Sequence, residues 1–332
     1  MIKAAMLSLA FVVLSSGAAA EALLSEPMIS IAFVGDIMLD DTPGKIVKQG
    51  RDPFTHFASV LGLADIRVGN LECVVATKGI PEPDKPFTFR AHPRTLTVLK
   101  RHFDVVSLAN NHSGDFGPVA FGEMLGQLDK HGIGYVGGGR NLAEAHTPLI
   151  IERNGLRVAF LGYNEFLPRS FEADYDKPGI AWSEDEQVRL DITDARNRYR
   201  ADLVIPIMHW GWENEPLANS RQRYLAHLMI DAGADAVVGG HPHVTQDTEI
   251  YRGKPVIYSL GNFLFDSFTR EENNIGWLLK MELTRHGVNH WRTYEARINR
   301  EGIPLPAPQA RENCWRRGME KAEFCAIEKP AQ

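Results

Sequence analysis

A short motif, Gly239-Gly240-His241-Pro242-His243, follows the apolar run Ala236-Val237-Val238. Two imidazoles separated by one residue at the exit of a buried strand can converge on metal ions, because imidazole is the commonest neutral metal ligand. Alone, such a pair is more often two solvated histidines at a surface turn. Residues of the metal-ligand types also follow four other apolar runs; they are Asp36, Asn70 with Glu72, Asn111 with His112, and His209. This repetition favours a metal site over a surface turn.

The donor types indicate which metals would bind. Two carboxylates, one amide and three imidazoles, from Asp36, Glu72, Asn111, His209, His241 and His243, suit one octahedral ion, or two ions that share a bridging carboxylate. Two ions about 3.5–4 Å apart would activate a water molecule and stabilise a leaving oxygen in an in-line displacement. The sequence therefore predicts one or two divalent ions, with Mn, Mg, Zn and Fe as candidates.

Each candidate ligand also has an ordinary structural interpretation. Asp36 could cap a turn, Asn111 could terminate its strand, and His209 could be a hydrogen-bonded core histidine. Glu213 is close enough in sequence to ligate or orient His209, whereas Asn262 is either a turn residue or a site residue. We favour the metal site because the blocks recur at successive strand ends.

The elements that must position these residues follow an α/β pattern. Strand-like apolar runs alternate with helical segments through the first two thirds of the chain, and antiparallel strands with short turns follow. This order predicts two sheets packed together with helices outside. Sites in open α/β sheets form at the carboxyl ends of strands, where the candidate ligands stand.

Composition sets the broad class. The chain has 332 residues, of which 44% are hydrophobic and 23% charged, enough for one large domain or two small ones. Its net charge of -6 and the lack of a basic stripe argue against a nucleic-acid partner. No linker or internal repeat divides it.

The N-terminus has the pattern of a secretory signal. Lys3 precedes an apolar segment over residues 4–14, and Ala18-Ala19-Ala20 matches a cleavage site. We therefore expect a signal peptide over residues 1–20, a folded domain over 21–300 and a C-terminal tail over 301–332. A retained membrane anchor is the alternative. The expected location is the periplasm or the exterior of the cell, where Cys314 and Cys325 could form a disulfide.

Six blocks carry a family resemblance: Asp36 after a strand, Gly69-Asn70-Leu71-Glu72, Asn110-Asn111-His112, His209-Trp210-Gly211, Gly240-His241-Pro242-His243 and Gly261-Asn262-Phe263. In this order, over roughly residues 29–266, they resemble the CapA family of poly-gamma-glutamate capsule synthesis proteins, which is related to calcineurin-like metallophosphoesterases. The resemblance implies a four-layer α/β/β/α sandwich of two mixed sheets with a two-metal site.

The resemblance also implies residue roles. Asp36, Glu72 and His243 would hold a first ion, and Asn111, His209 and His241 a second, with Glu72 shared. Met38 stands where the wider superfamily carries a histidine ligand, and Asn70 where it carries an acidic one, so generic phosphatase activity is in doubt. His112 matches a histidine that assists the leaving group; together with Asp36 it is a catalytic candidate.

Three functions are compatible with these residues. The first is an exported metal-dependent protein that acts in the synthesis, release or anchoring of an anionic polymer such as poly-gamma-glutamate, with a membrane synthase complex as a candidate partner. The second is a periplasmic phosphomonoesterase or nucleotidase acting on a phosphate ester. The third is a non-catalytic scaffold of a capsule-assembly complex. Candidates for a basic rim around the site are Arg67, Lys78, Lys85, Arg90 and Arg94.

Overall fold

The computed structural model describes residues 26–167, 169–307 and 309–325. The predicted signal segment over residues 1–20 lies outside this range. The strands, in chain order, are β1 Met28–Ile37, β2 Ile66–Leu71, β3 Val74–Val75, β4 Arg90–Ala91, β5 Val105–Ser107, β6 Gly134–Val136, β7 Gly138–Gly139, β8 Leu149–Arg153, β9 Leu156–Asn164, β10 Gly179–Ile180, β11 Leu203–His209, β12 Val237–Gly240, β13 Thr248–Tyr251, β14 Lys254–Ile257, β15 Asn262–Leu264, β16 Ile275–Thr284, β17 Gly287–Ile298, β18 Pro304–Pro306, β19 Asn313–Arg316 and β20 Glu323–Phe324. The α-helices are α1 Asp41–Lys48, α2 Ala58–Gly62, α3 Thr95–His102, α4 Gly117–His131, α5 Leu142–Ala145, α6 Asp185–Asn197 and α7 Ser220–Ala232, and short 3-10 helices cover Thr55–Phe57 and Glu271–Asn274.

Two mixed sheets form the centre of the molecule. The first has the strand order β20-β19-β17-β16-β1-β2-β5-β6, with β15 paired to β1 and β18 to β17. The second has the order β13-β14-β12-β11-β9-β8. Strands β1, β2, β5 and β6 run parallel in the first sheet, as do β9, β11, β12 and β14 in the second.

Alternation along the strands defines four layers. On β1, Ile31 and Phe33 pack between the two sheets, where Phe160 of β9 also lies, while Ala32 and Val34 face the core shared with α2, α3 and α4. On β11, Val204 faces the opposite way, into the core formed with α6 and α7. The result is the α/β/β/α sandwich that the resemblance implied.

Local turn chemistry explains several element ends. Asn154 and Gly155, between β8 and β9, have φ of 51° and 75°, as a two-residue type I′ hairpin requires. Helix α4 ends at His131 and is capped by Gly132, which takes the left-handed conformation with φ of 64°. None of the helices in the described ranges is both long and apolar enough to span a bilayer.

The segment predicted as a C-terminal tail carries three short strands that extend the first sheet. Strands β18 and β19 both pair with β17, and β20 pairs with β19. Trp315 of β19 is fully buried between the sheets. A disulfide joins Cys314 to Cys325, with the two Cα atoms 5.0 Å apart. Cys73 is a buried free thiol.

Removal of this disulfide should loosen the chain end without unfolding the sandwich. We expect the Cys314→Ser/Cys325→Ser double variant to lose about 1–3 kcal/mol of unfolding free energy, because the bridge closes a short loop at the sheet edge. Thermal denaturation with and without reductant checks this. Reductant should lower the melting temperature of the wild type and leave the variant unchanged; equal melting temperatures throughout would contradict the prediction.

Candidate metal centre

Parallel strand direction brings the predicted ligands to one edge of the sandwich. In the first sheet, Asp36 at the end of β1 is the register partner of Asn70 on β2. In the second, His209 at the end of β11 is paired with Gly240 on β12. Because both sheets present their carboxyl ends at this edge, ligands from the two sheets meet between them.

Gly240 allows the sheets to approach closely. A Cβ at this position would lie 2.7 Å from Asp36 Oδ1. The next residue, His241, donates its backbone N–H to Asp36 Oδ2 at 3.3 Å. His241 and His243 have φ of 93° and 56°, a region that non-glycine residues rarely adopt. The surrounding contacts must hold this strained loop, which aims both imidazoles at the carboxylates.

Amide side chains orient the carboxylate of Asp36. Asn70 Nδ2 donates to Asp36 Oδ1 at 2.8 Å, and Asn70 Oδ1 accepts from Asn110 Nδ2 at 3.0 Å. Both ends of the Asn70 amide are therefore engaged. We assign Asn70, predicted as a ligand, to positioning Asp36.

The remaining ligands surround Glu72. His209 Nε2 lies 2.7 Å from Asn111 Oδ1, 3.1 Å from His241 Nδ1 and 3.6 Å from Glu72 Oε1. His243 Nε2 lies 3.8 Å from the same Glu72 oxygen. Glu72 is thus the central carboxylate.

Among the residues that the structure describes, two overlapping groups could hold an ion. One comprises Glu72, His241 and His243, and the other Asp36, Glu72 and His209; within each, the ligand atoms lie within 4.8 Å of one another. Glu72 is common to both, as expected. The sequence-based prediction paired Asp36 with His243 and His209 with His241, and both pairs are also in contact: Asp36 Oδ2 lies 3.6 Å from His243 Nδ1, and His209 Nε2 lies 3.1 Å from His241 Nδ1. That partition therefore stays a prediction. Strand order cannot decide the partition, because all four side chains surround one carboxylate.

Unpartnered atoms show that the donor set fits a cation. Glu72 Oε1 and His241 Nε2 are buried and have no hydrogen-bond partner among the described residues. Buried polar atoms are normally satisfied, and both of these are of metal-ligand type. Met38, in contrast, is buried and its Sδ accepts the Asp40 N–H at 3.1 Å. Its thioether would also be a poor ligand for a hard cation.

The electrostatics of the cluster favour neutral side chains. Burial raises the pKa of Asp36, and burial together with the Asp36 charge raises the pKa of Glu72 well above its usual range. Burial and the neighbouring imidazoles hold the pKa values of His209 and His241 well below theirs. A bound cation would reverse the preference of the carboxylates.

His112 belongs to a separate network beside this cluster. Its Nδ1 lies 2.8 Å from Asp115 Oδ2, and Asp115 also accepts the Phe89 N–H at 2.6 Å and an ion pair from Lys85. Burial lowers the pKa of His112. Sequence reasoning missed Asp115, although its i,i+3 spacing from His112 within one turn was an available signal. Lys85 lies beside the site, whereas Arg67 of the predicted rim is paired with Asp104.

Of the two residues predicted to orient ligands, Asn262 contacts a candidate ligand and Glu213 does not. Asn262 Oδ1 lies 2.8 Å from His243 Nδ1, so this buried amide positions the imidazole. Glu213 is exposed, and the ring nitrogens of His209 contact Asn70 and Asn111. Glu213 does not orient His209 as predicted; it acts on Glu72 through its charge, which raises that pKa.

Comparison with known proteins identifies the family. The sequence profile described as "Bacterial capsule synthesis protein PGA_cap" matches residues 30–267. The chain belongs to the PGA_cap family. Among similar proteins, the PGA biosynthesis protein CapA of Bacillus subtilis (strain 168) is 34% identical over 85% of this chain and 74% of its own length. The capsule biosynthesis protein CapA of Bacillus anthracis is 32% identical over 85% and 70%.

Solved structures with detectable similarity are more distant. The NAD nucleotidase of Haemophilus influenzae has a TM-score of 0.44 and 13% identity, with 84% of this chain and 54% of that chain covered. The sulfate thiohydrolase SoxB of Thermus thermophilus has a TM-score of 0.45 and 11% identity, with 83% and 56% covered.

A cavity of about 280 Å³ adjoins the cluster. Asn110 and Asn111 form part of its wall, and Lys85 and Trp182 face it from two loops. Phe166 also lines the cavity, and its ring centroid lies 3.9 Å from that of His241. A substrate in this cavity would lie beside the candidate ligands.

We expect the two ions of this PGA_cap centre to bind with unequal affinity. On the sequence-based assignment, Asn111, His209 and His241 form the tighter position, since the His209 ring contacts the other two side chains. The position beside Asp36 keeps His243 but has one imidazole fewer, because Met38 stands where the resemblance predicts a histidine. His241→Ala should therefore abolish tight binding, Asp36→Ala should spare the tighter ion, and Met38→His should raise occupancy of the weaker position. Calorimetric Mn²⁺ titration tests this; equal loss of all metal in both alanine variants would show that the assignment is wrong.

Proposed function

We propose that this protein uses a divalent metal centre to act on an extracellular anionic polymer, poly-gamma-glutamate or a close relative, during its synthesis, release or anchoring. Family membership and the names of the Bacillus relatives support the polymer. The observation that carries the metal centre is a pair of buried ligand atoms, Glu72 Oε1 and His241 Nε2, that accept or donate no hydrogen bond within the described residues.

The metal would be held by side chains from both sheets, namely Asp36, Glu72, Asn111, His209, His241 and His243. When bound, a divalent ion supplies Lewis-acid polarisation of a substrate oxygen and a more acidic water molecule. Asn70 and Asn262 keep Asp36 and His243 in orientation through hydrogen bonds.

His112 is the proton donor of the proposal. Its contact with Asp115 engages Nδ1, which fixes the ring and leaves Nε2 as the nitrogen for proton transfer. With its Nδ1 proton directed at Asp115, the neutral ring would first take up a proton from water at Nε2, and the imidazolium would then pass that proton to the leaving group. The Phe89 ring lies 4.5 Å from the His112 ring and helps to exclude water from it.

The proposal also includes export from the cytoplasm and a membrane synthase complex as the partner. The signal pattern over residues 1–20 and the Cys314–Cys325 disulfide support an oxidising compartment, because such bridges persist outside the cytoplasm. A membrane synthase complex would deliver the polymer to the site. Fractionation of cells expressing a C-terminally tagged chain tests the location; a cytoplasmic protein of unprocessed mass would contradict export.

The activity test compares two substrates on the same preparations. Purified protein with Mn²⁺, with EDTA, or carrying Glu72→Gln or His112→Asn is incubated with poly-gamma-glutamate and, separately, with p-nitrophenyl phosphate. We expect a change in polymer length or end groups that requires metal, Glu72 and His112. Turnover of the phosphate ester alone would replace the proposal with a phosphomonoesterase, and tight metal without turnover of either would favour a scaffold.

A further inference from the structure

A second depression, about 210 Å³ in volume, lies on the helical side of the first sheet. Its charged lining comes from the loop and helix after β1 and from the segment that leads into α3. The cationic residues are Lys45, Lys48, Arg90 and Arg94, the carboxylates are Asp40 and Asp41, and His92 completes the set. Four cations against two carboxylates make this depression basic on a chain whose net charge is -6.

Most of these cations are free to meet a ligand. Lys45, Lys48 and Arg94 are exposed and form no ion pair in the part of the chain that the structure describes, although Lys45 acts on Asp41 through its charge. Arg90 is held in place by the carbonyls of the preceding loop and by the Phe116 ring, 4.3 Å from its guanidinium. It adds a fixed positive charge.

The cavity beside the metal centre, in contrast, has more acidic than cationic residues in its lining. Its acidic lining residues are Glu82, Asp84 and Glu172, and its cations are Lys85 and Arg169. Both cations are already committed, since Lys85 pairs with Asp115 and Arg169 pairs with Glu172. In the metal-free protein, a polymer with many carboxylates would therefore find its electrostatic attraction in the basic depression rather than in that cavity.

Short segments connect the depression to the centre. Arg90 follows Phe89, whose ring contacts His112. The Arg90 backbone N–H donates to Asp40 Oδ2 at 2.7 Å, and Asp40 is only four residues beyond Asp36. A polymer with regularly spaced carboxylates could engage both regions, whereas a single small anion could not.

We propose that the basic depression formed by Lys45, Lys48, Arg90 and Arg94 is a binding subsite for the carboxylates of an acidic polymer, distinct from the metal centre. The inference rests on the proposed function for the identity of the polymer. The inference adds the place where the polymer is held. Binding of the polymer at this subsite needs neither metal nor turnover. Several weak carboxylate contacts would combine, so affinity should rise with polymer length.

The test measures binding of fluorescent poly-gamma-glutamate to the full-length protein by anisotropy at several NaCl concentrations. Lys45→Glu/Lys48→Glu should weaken binding by about tenfold or more and reduce its salt dependence, because two attractive charges become repulsive. The matched control is Lys130→Glu/Lys321→Glu, which makes the same charge change at exposed lysines outside the depression. It should change affinity less than about twofold.

Each outcome decides the proposal. Equal weakening in both double variants would show general charge attraction, and unchanged binding in Lys45→Glu/Lys48→Glu would show that the polymer binds elsewhere; either result overturns the subsite. Melting temperatures show whether each variant is folded, and Lys45→Gln/Lys48→Gln should give an intermediate loss of affinity.

Polyphosphate serves as a second probe: if it binds more tightly than poly-gamma-glutamate at the same chain length, the carboxylate assignment is wrong. Binding that persists without catalytic turnover would retain the subsite while the proposed activity fails.

Discussion

Glu72→Gln should remove both metal ions while leaving the metal-free fold at least as stable as the wild type. The first effect follows from the position of Glu72, the one carboxylate common to both ligand groups. We expect metal affinity to fall by about 100-fold or more, because a neutral amide replaces the central charged ligand. The second effect follows from burial. Glu72 Oε1 has no hydrogen-bond partner in the described part of the chain, and Asp36 places a second negative charge beside it.

The opposite signs of the two effects make the experiment informative. The metal-free variant should gain about 1–3 kcal/mol, because the neutral amide removes the buried negative charge that burial and Asp36 disfavour, and one unit of raised pKa corresponds to about 1.4 kcal/mol. Urea denaturation in EDTA measures this gain, and calorimetric Mn²⁺ titration measures the loss of binding. Glu213→Gln is the matched control, since it removes an exposed carboxylate near the site. Destabilisation of the metal-free variant would show that Glu72 has a structural partner and that the centre is not built for a cation.

The sequence contained enough information to locate the cluster. Asp36 and His209 each end an apolar run, and parallel strands of one sheet end at a common edge. That rule holds for any sequence that alternates strands and helices, so the sandwich and the meeting of its ligands could be predicted together. The disulfide could also be predicted from the sequence, because only Cys314 and Cys325 follow the last long strand.

Other features depend on contacts that no local pattern encodes. The interaction of Asp115 with Lys85 joins an irregular turn to a long loop, 30 residues apart in sequence. The short strands β18 to β20 have too few residues to show a period of two, and they form because β17 offers a free edge. Likewise, the partition of imidazoles around Glu72 depends on ring positions that the spacing of the residues does not determine.

Gly35→Ala should be among the most destabilising single substitutions in this chain. A Cβ at Gly35 would lie 1.9 Å from the carbonyl oxygen of Gly261, well inside van der Waals contact, and backbone atoms cannot rotate away as a side chain can. The same carbonyl accepts the Asp36 N–H at 3.0 Å. Relief of the clash would therefore break the bond that joins β1 to the β14–β15 connection. We expect a loss of about 4 kcal/mol or more, the range of severe overpacking with a lost buried hydrogen bond.

The consequence should extend to the metal centre, because this contact joins two of its parts. β1 carries Asp36, and the residue after Gly261 is Asn262, whose amide positions His243. Displacement of one backbone from the other should weaken metal binding even though no ligand has changed.

Gly126→Ala is the matched control: Gly126 is exposed within α4 with open space around it, so alanine should stabilise the protein by about 0.5–1 kcal/mol. Urea denaturation of both variants and Mn²⁺ titration at a temperature where Gly35→Ala remains folded would measure the two effects. Wild-type stability and metal affinity in Gly35→Ala would mean that the two backbones are not in contact here, and that the centre is positioned by the hydrogen bonds of its side chains alone.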